Sequence, residues 1–183
     1  MINKRWDSYW LNVAQTACIN SRCLSRHIGA VIVREGKYEV SHGYNGPVSG
    51  APHCDSKDYR EKLFELARKD GVEIKPTKDF TCPRRNMGFP SLSGAGYEYC
   101  QAAHAERNAI DIAARLGAST AGCAIYMNCG VPCLECAKSI VNAGIVEVVC
   151  ENSGLSTTKG LSGLDIFQRA GMKIRQFYQE ELL

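Results

Sequence analysis

The residues that decide how this chain must fold lie in two short stretches, His104-Ala105-Glu106 and Pro132-Cys133-Leu134-Glu135-Cys136. The first stretch supplies an imidazole and a carboxylate two positions apart, and the second supplies two thiols three positions apart. One nitrogen and two sulfur ligands leave the fourth position of a tetrahedral zinc ion open, as a catalytic zinc site requires. The carboxylate of Glu106 remains free to transfer protons. The rest of the chain therefore has to bring the two stretches together.

These residue types fit the hydrolytic removal of an amino group. A zinc ion held by His104, Cys133 and Cys136 would lower the pKa of its water from about 15.7 towards about 7, and the resulting hydroxide can attack an amidine-like carbon. Glu106 can take the proton of the water, pass it to the ring nitrogen and later protonate the leaving ammonia. A His-x-Glu segment followed by Pro-Cys-x-x-Cys is the signature of zinc deaminases.

Each half of the pattern has a simpler explanation when it is taken alone. A Cys-x-x-Cys pair is also found in redox sites and in structural zinc sites, and a single histidine is more often a core residue. The combination, with Pro132 at the predicted start of a helix and Glu106 two positions after His104, favours the deaminase site, because structural context is what confirms a motif.

Length and composition set the broad class. The 183 residues predict a single domain spanning 1–183, and the net charge of +3 argues against a basic surface for nucleic acid. No stretch resembles a signal peptide or a membrane span, so we expect a cytoplasmic protein with no membrane partner. Disulfides are rare in that compartment, so the ten cysteines need another explanation. We expect Cys18, Cys123 and Cys150, which have apolar neighbours, to be buried free thiols.

Hydrophobic periodicity predicts alternating helices and strands. We predict helices at 7–20, 56–70, 102–116, 132–143 and 161–170, and strands at 28–33, 38–44, 124–128, 145–150 and 172–178. Alternation after residue 100 implies a parallel half-sheet, and the N-terminal hairpin makes the other half antiparallel. The predicted fold class is α/β, a mixed, roughly five-stranded sheet with helices on both faces. The pattern weakens over an insertion at about 47–100, and so long a segment is usually functional or held by something.

Six further stretches extend the pattern over nearly the whole chain: Gly29-Ala30-Val31-Ile32-Val33, Gly43-Tyr44-Asn45-Gly46, Pro52-His53-Cys54, Cys100, Arg107-Asn108-Ala109-Ile110 and Ala143-Gly144-Ile145. Together with the two zinc-ligand stretches, and in this order, they resemble the cytidine/deoxycytidylate deaminase superfamily. The Gly-Tyr-Asn-Gly loop is typical of its deoxycytidylate (dCMP) deaminase branch. The resemblance implies the three-layer fold of cytidine deaminases.

The resemblance also implies an activity and further site residues. It implies hydrolysis of dCMP to dUMP and ammonia, feeding thymidylate synthesis, with zinc on His104, Cys133 and Cys136 and with Glu106 as the proton carrier. It places Asn45 at the deoxyribose 3′-hydroxyl and Ala105 in the substrate site. Many relatives are homohexamers that dCTP activates and dTTP inhibits, with the Gly-Tyr-Asn-Gly loop, including Tyr44 and Gly46, at the allosteric site.

Relatives with a long insertion carry a second, structural zinc. This sequence has the ligands for one, namely Cys23, His53 or Cys54, Cys82 and Cys100. Four protein ligands without water would close the site and tie the insertion to the first helix and to the segment before His104. The resemblance favours His53 over the adjacent Cys54. Buried free thiols are the alternative.

The residues that would bind the substrate phosphate are less defined. Many relatives have a tyrosine-bearing loop after the fourth strand, whereas the corresponding loop here, 151–160, contains Ser, Thr and Lys159 instead. Hydroxyl groups and Lys159 can bind phosphate. Arg22 and Arg26 are further candidates, either for the substrate or for an allosteric nucleotide. The departure leaves open whether the substrate is dCMP, a 5-substituted dCMP or dCTP.

Two other functions compete with nucleotide deamination. A deaminase of tRNA or single-stranded DNA would need a basic, aromatic-lined groove, which the mild net charge does not indicate. A non-catalytic interaction module organised by zinc would give Glu106 no role.

Overall fold

The computed structural model of the chain describes residues 4–75, 81–91, 95–152 and 161–178. The described strands are β1 (Gly29–Arg34), β2 (Tyr38–Tyr44), β3 (Gly46–Pro47), β4 (Ala102–Ala103), β5 (Ala124–Met127), β6 (Glu147–Glu151) and β7 (Lys173–Phe177). The described helices are α1 (Lys4–Cys18), α2 (Lys57–Lys69), α3 (Pro83–Asn86), α4 (Ala105–Arg115), α5 (Leu134–Asn142) and α6 (Gly163–Arg169). None of these helices combines the length and the apolar character needed to span a membrane.

Five strands form one mixed sheet in the order β2-β1-β5-β6-β7. Strand β1 pairs antiparallel with both β2 and β5, whereas β5, β6 and β7 are parallel. The predicted mixed five-stranded sheet is therefore confirmed, with its antiparallel half at the N-terminal hairpin. A separate ribbon forms where β3 pairs with β4.

Helices cover both faces of this sheet, as predicted. Alternate residues of a strand point to opposite faces. Val31 and Val33 face α1 and pack with Trp10 and Ala14. On the other face, α4, α5 and α6 cover a core in which Ile32 is fully buried. The three free thiols predicted to be buried, Cys18, Cys123 and Cys150, all are.

Helix α4 lies unusually close to β2. Apart from Glu106, its buried residues are small and lie at a spacing of four: Ala105, Ala109 and Ala113. Opposite them lies Gly43, where an added Cβ would be 2.4 Å from the Ala109 nitrogen and 2.6 Å from the Ala105 carbonyl oxygen. Only glycine fits such an approach of two backbones. Gly43 therefore determines the distance between α4 and the sheet.

Four predicted helix starts are wrong: α1 already includes Lys4, before the predicted start at 7, α6 begins at Gly163 rather than at 161, and the other two errors concern the site. The helix predicted at 102–116 begins at Ala105, because Ala102–Ala103 form β4 and pair with β3. The helix predicted to open at Pro132 begins at Leu134. Leu116 is 69% exposed, because it lies at the C-cap of α4, beyond the helix face that packs on the sheet.

The insertion forms a small hydrophobic cluster of its own. The predicted helix at 56–70 is confirmed as α2. Its Leu63 and Ala67 pack with Met87 and Tyr99, whereas Leu66 is exposed. Tyr99 lies only five residues before His104, so this cluster is close in sequence to the predicted zinc ligand.

A methyl group at position 43 should separate α4 from β2. Gly43→Ala is expected to lower the free energy of unfolding by about 1–3 kcal/mol, as overpacking typically does. For a chain of this size the melting temperature should fall by about 2–4 °C per kcal/mol. Thermal unfolding checks this, with Gly46→Ala as the matched control because an added Cβ there meets nothing within 4 Å. Equal stability of the two variants would contradict the role of Gly43.

Candidate metal centre and active site

The three predicted zinc ligands converge. His104 is the N-cap residue of α4, Cys133 is the N-cap residue of α5, and Cys136 lies in the first turn of α5. The His104 Nδ1 atom lies 3.5 Å from the Cys133 sulfur and 3.4 Å from the Cys136 sulfur. The potential ligand atoms of all three residues lie within 4.8 Å of one another.

These distances fit a tetrahedral zinc ion. Zinc binds histidine nitrogen at about 2.0–2.1 Å and thiolate sulfur at about 2.3 Å, which places the nitrogen about 3.6 Å from each sulfur. The observed 3.4 and 3.5 Å are close to that value. The donor set of one imidazole and two sulfurs suits zinc and leaves a fourth position without a protein ligand.

The loops that carry these ligands are held by close backbone contacts. An added Cβ on Gly163 would lie 2.0 Å from the Pro132 carbonyl oxygen, so α6 packs directly against the segment that precedes Cys133. On the other side, Gly46 pairs with Ala103, immediately before His104. Each half of the site is therefore anchored to a different part of the fold.

The electrostatic environment favours a thiolate on Cys133. A hydrogen bond from the Cys136 thiol is the main cause, a hydrogen bond with His104 adds to it and burial opposes it, so that the pKa of Cys133 falls to about 4. The pKa of Cys136 is raised in turn, since its proton is held by Cys133 and the group is buried. The hydrogen bond with Cys133 also raises the pKa of His104, against the effect of burial.

Glu106 lies beside this group without being part of it. The carboxyl is on the first turn of α4 and is only 4% exposed. Burial raises the pKa of Glu106, and the charge of His104 opposes that shift. A carboxyl with a raised pKa can both accept and return a proton near neutral pH.

Asn45 is buried, and its amide is largely committed to the fold. Its Oδ1 accepts hydrogen bonds from Ser21 Oγ and Ile28 N, each at 2.8 Å, and its Nδ2 donates to the Arg26 carbonyl at 2.9 Å. An amide nitrogen carries two hydrogens, so one N–H remains available to a ligand. Ala105 is the other expected substrate contact. Its side chain packs in the core, so only its backbone can contact a substrate.

The phosphate and allosteric candidates occupy different environments. Arg22 forms an exposed ion pair with Asp55 at 2.9 Å. Arg26 lies next to Asn45, whose Nδ2 donates to its carbonyl at 2.9 Å. The half-exposed Tyr44 is linked to α4 through its carbonyl, which accepts a hydrogen bond from Asn108 at 2.7 Å. Lys159 lies outside the described residues.

The residues expected to hold a second zinc come from four separate segments that lie near one another. Burial is the main cause that raises the pKa of Cys54 to about 11, a hydrogen bond from Gln101 opposes it, and the charges of Cys100, Cys82 and Cys23 add to it. The Nδ1 atom of His53 is buried and has no hydrogen-bond partner in the described part of the chain. Within that part, only the His104 group brings three or more potential ligand atoms together tightly.

Two further residues at the site carry no recognisable sequence motif. The Tyr97 ring packs edge-on against His104, and the guanidinium of Arg84 lies over the Tyr97 ring. Both are in the insertion, where hydrophobic periodicity is weak. Their closeness in sequence to Cys82 and Cys100, the expected ligands of a second zinc, is the one sequence signal that could have indicated a role at the site.

The fold and the site together define an α/β protein with a three-ligand zinc centre. The family described as "Cytidine and deoxycytidylate deaminase zinc-binding region" matches residues 4–152. The chain belongs to this family of cytidine and deoxycytidylate deaminases.

Curated relatives support the same family. The chain is 31% identical over 177 residues to a deoxycytidylate deaminase of Schizosaccharomyces pombe, a match covering 96% of this chain and 45% of the relative. It is 30% identical over 175 residues to a deoxycytidylate deaminase of Enterobacteria phage T2, a match covering 90% of this chain and 88% of that relative. The chain thus spans about half the length of the yeast relatives it matches, 45% and 46%, and most of the length of the phage one.

Solved structures support the fold. The dCMP deaminase of cyanophage S-TIM5, in complex with dCMP and dUMP, matches with a TM-score of 0.62 at 22% identity. This match covers 97% of the present chain and 99% of that protein.

Binding of zinc should release protons, because each ligand must lose its proton to bind the metal. Cys133 is already a thiolate at neutral pH, whereas Cys136 still holds its proton. We expect the release of about one proton or more per zinc at the catalytic site, and an affinity that falls as the pH falls. Calorimetry in two buffers of different ionisation enthalpy measures this number. Binding without proton release would contradict ligation by Cys136.

Proposed function

We propose that this protein is a zinc-dependent deaminase that hydrolyses dCMP to dUMP and ammonia. The observation that carries the proposal is the convergence of His104, Cys133 and Cys136, with the buried carboxyl of Glu106 beside them. A structural zinc site has four protein ligands, whereas this group has three and an adjacent acid/base. The relatives named deoxycytidylate deaminase support the choice of dCMP.

The proposed chemistry divides between the metal and Glu106. When bound, the zinc would supply Lewis-acid activation of the attacking water. The Glu106 carboxylate accepts a proton from that water and delivers it to the ring nitrogen of the base. It next takes the second proton, from the hydroxyl that the attack has added to the base, and passes it to the departing amino group, which leaves as ammonia. Burial of Glu106 keeps bulk water from competing for this proton.

Three contacts are proposed for the rest of the substrate. The free N–H of Asn45 Nδ2 donates to the deoxyribose 3′-hydroxyl, and the backbone of Ala105 faces the base. Arg26 is the preferred phosphate ligand, because its backbone contacts Asn45, whereas Arg22 is paired with Asp55 on the surface.

Several wider properties are proposed from the family resemblance alone. They are a single domain over 1–183, a homohexamer, activation by dCTP and inhibition by dTTP at a site that includes Tyr44 and Gly46, a cytoplasmic location and a place in the supply of thymidylate. Lys159 stays a candidate for binding phosphate.

An ultraviolet assay of deamination tests the proposed function. We expect turnover of dCMP in preference to 5-substituted dCMP, dCTP, cytidine, tRNA and single-stranded DNA. Glu106→Ala should keep its zinc and lose about two to four powers of ten in turnover, the range that general acid–base catalysis contributes. Glu135→Gln is the matched control, because this exposed carboxylate lies between the same two cysteines and pairs with the exposed Lys138.

Each alternative has its own outcome in this assay. Preference for an oligonucleotide would identify a polynucleotide deaminase, and preference for dCTP or a 5-substituted dCMP would correct the substrate. No turnover of any compound by zinc-loaded protein would favour the non-catalytic module. Near-normal activity of Glu106→Ala would refute its role as the proton carrier.

We further propose that a second, structural zinc is held by Cys23, Cys82, Cys100 and one of His53 and Cys54. The mutual electrostatic effects of the four thiols support a position near one another, and the buried Nδ1 of His53, which has no hydrogen-bond partner among the described residues, supports His53 as the fourth ligand. A closed zinc here would join the segment after α1 to the insertion and to the residues before His104.

Metal analysis distinguishes these ligands. The intact protein should contain two zinc ions per chain, and Cys100→Ser should contain one and melt at a lower temperature, since a structural zinc contributes directly to folding. Cys123→Ala, which changes a buried thiol outside both groups, should keep two. Loss of the second ion in His53→Ala but not in Cys54→Ser would identify His53 as the fourth ligand, the opposite result would identify Cys54, and one ion in the intact protein would refute the site.

A further inference from the structure

A stack of three side chains links the insertion to the metal centre. The rings of Tyr97 and His104 meet edge to face, with centroids 5.7 Å apart and planes at 71°. The guanidinium carbon of Arg84 lies 4.3 Å from the centroid of the Tyr97 ring. Arg84 and Tyr97 belong to the insertion, whereas His104 is the N-cap residue of α4.

Arg84 is placed where an arginine is costly. It is only 8% exposed, and its Nε is buried with no hydrogen-bond partner among the described residues. Its guanidinium donates a hydrogen bond to the Ala95 carbonyl. In the described part of the chain no carboxylate pairs with it, although its charge also acts on the Cys100 thiol. The face of the Tyr97 ring therefore provides a substantial part of the compensation for this buried cation.

The short 3₁₀ turn that carries Tyr97, Tyr97–Tyr99, is fixed from both ends. Gly96 precedes it with a φ of +70°, and an added Cβ there would lie 2.3 Å from the Phe89 ring. Phe89 stacks on Tyr99 at 6.0 Å, and the Tyr99 hydroxyl donates to Asp70 at 2.8 Å. A side chain held by packing and by fixed neighbours is suited to position a ligand.

Tyr97 is nevertheless not buried. The residue is 40% exposed, although Arg84 covers one face of its ring and His104 lies against it. A rigid, partly exposed aromatic ring beside a metal ligand is a surface on which a flat base can pack.

We infer that the Tyr97 ring forms one wall of the substrate pocket and packs against the pyrimidine nucleotide, and that Arg84 is a positioning residue that holds the ring in place. The inference rests on the proposed function for the nature of the substrate. The ring contacts the substrate, whereas Arg84 acts only through Tyr97. A substitution that keeps an aromatic ring at position 97 should therefore preserve most of the activity, and one that keeps a cation at position 84 should preserve part of it.

Steady-state kinetics of dCMP turnover test this inference. Tyr97→Ala should raise KM by about tenfold, the loss expected for one aromatic contact, with a smaller change in kcat. Tyr97→Phe should stay within about twofold of the parent, because it keeps the ring. Arg84→Ala should raise KM in the same direction, Arg84→Lys should restore part of the loss, and adding Arg84→Ala to Tyr97→Ala should cost little more.

Zinc content and melting temperature separate a pocket wall from a structural support. Tyr38→Ala, which removes an exposed tyrosine distant in sequence from the site, is the matched control and should match the parent. If Tyr97→Ala does not fold, Tyr97→Leu, which keeps bulk without aromaticity, takes its place. Unchanged KM, or loss of zinc together with activity, would overturn the inference. A parent enzyme without activity on any cytosine compound would instead refute the proposed function.

Discussion

The contact between α4 and β2 at Gly43 is the constraint on which the rest of the site depends. The alanine face of α4 allows its backbone to approach the strand to a distance at which even a Cβ would clash. That approach sets the position of the N-terminus of α4, and with it His104 and Glu106. A second contact of the same kind, between Gly163 and the Pro132 carbonyl, sets the position of Cys133. Two glycines thus bring together ligands that are 29 residues apart in sequence.

Placement at helix N-termini explains much of the chemistry of the site. His104 and Cys133 are both N-cap residues, so the partial positive charges of two helix ends surround the sulfurs. Such ends favour thiolates, the form that binds metal. Glu106 differs because burial favours its protonated form. The same small region therefore holds a thiolate on Cys133 for the metal and a carboxyl that can exchange a proton.

Sequence patterns predicted the ligand set and the order of elements, because the chemistry of the site fixes residue types and the sheet requires regular apolar periodicity. They failed where tertiary pairing competes with local preference. Ala102 and Ala103 favour helix, yet their backbone pairs with Gly46 and Pro47. The alignment of Arg84, Tyr97 and His104 depends on Gly96 and on the stack of Phe89 with Tyr99, which no local pattern records.

The position and coordination of the bound metal test this arrangement most directly. Crystals of the zinc-loaded protein, measured at the zinc absorption edge, should show an anomalous difference peak for a zinc ion within bonding distance of His104 Nδ1 and of the sulfurs of Cys133 and Cys136. The fourth ligand should be a solvent oxygen within hydrogen-bond distance of Glu106, rather than a protein atom. A peak in which Glu106 itself completes the coordination, or no peak between these three side chains, would contradict an open catalytic site.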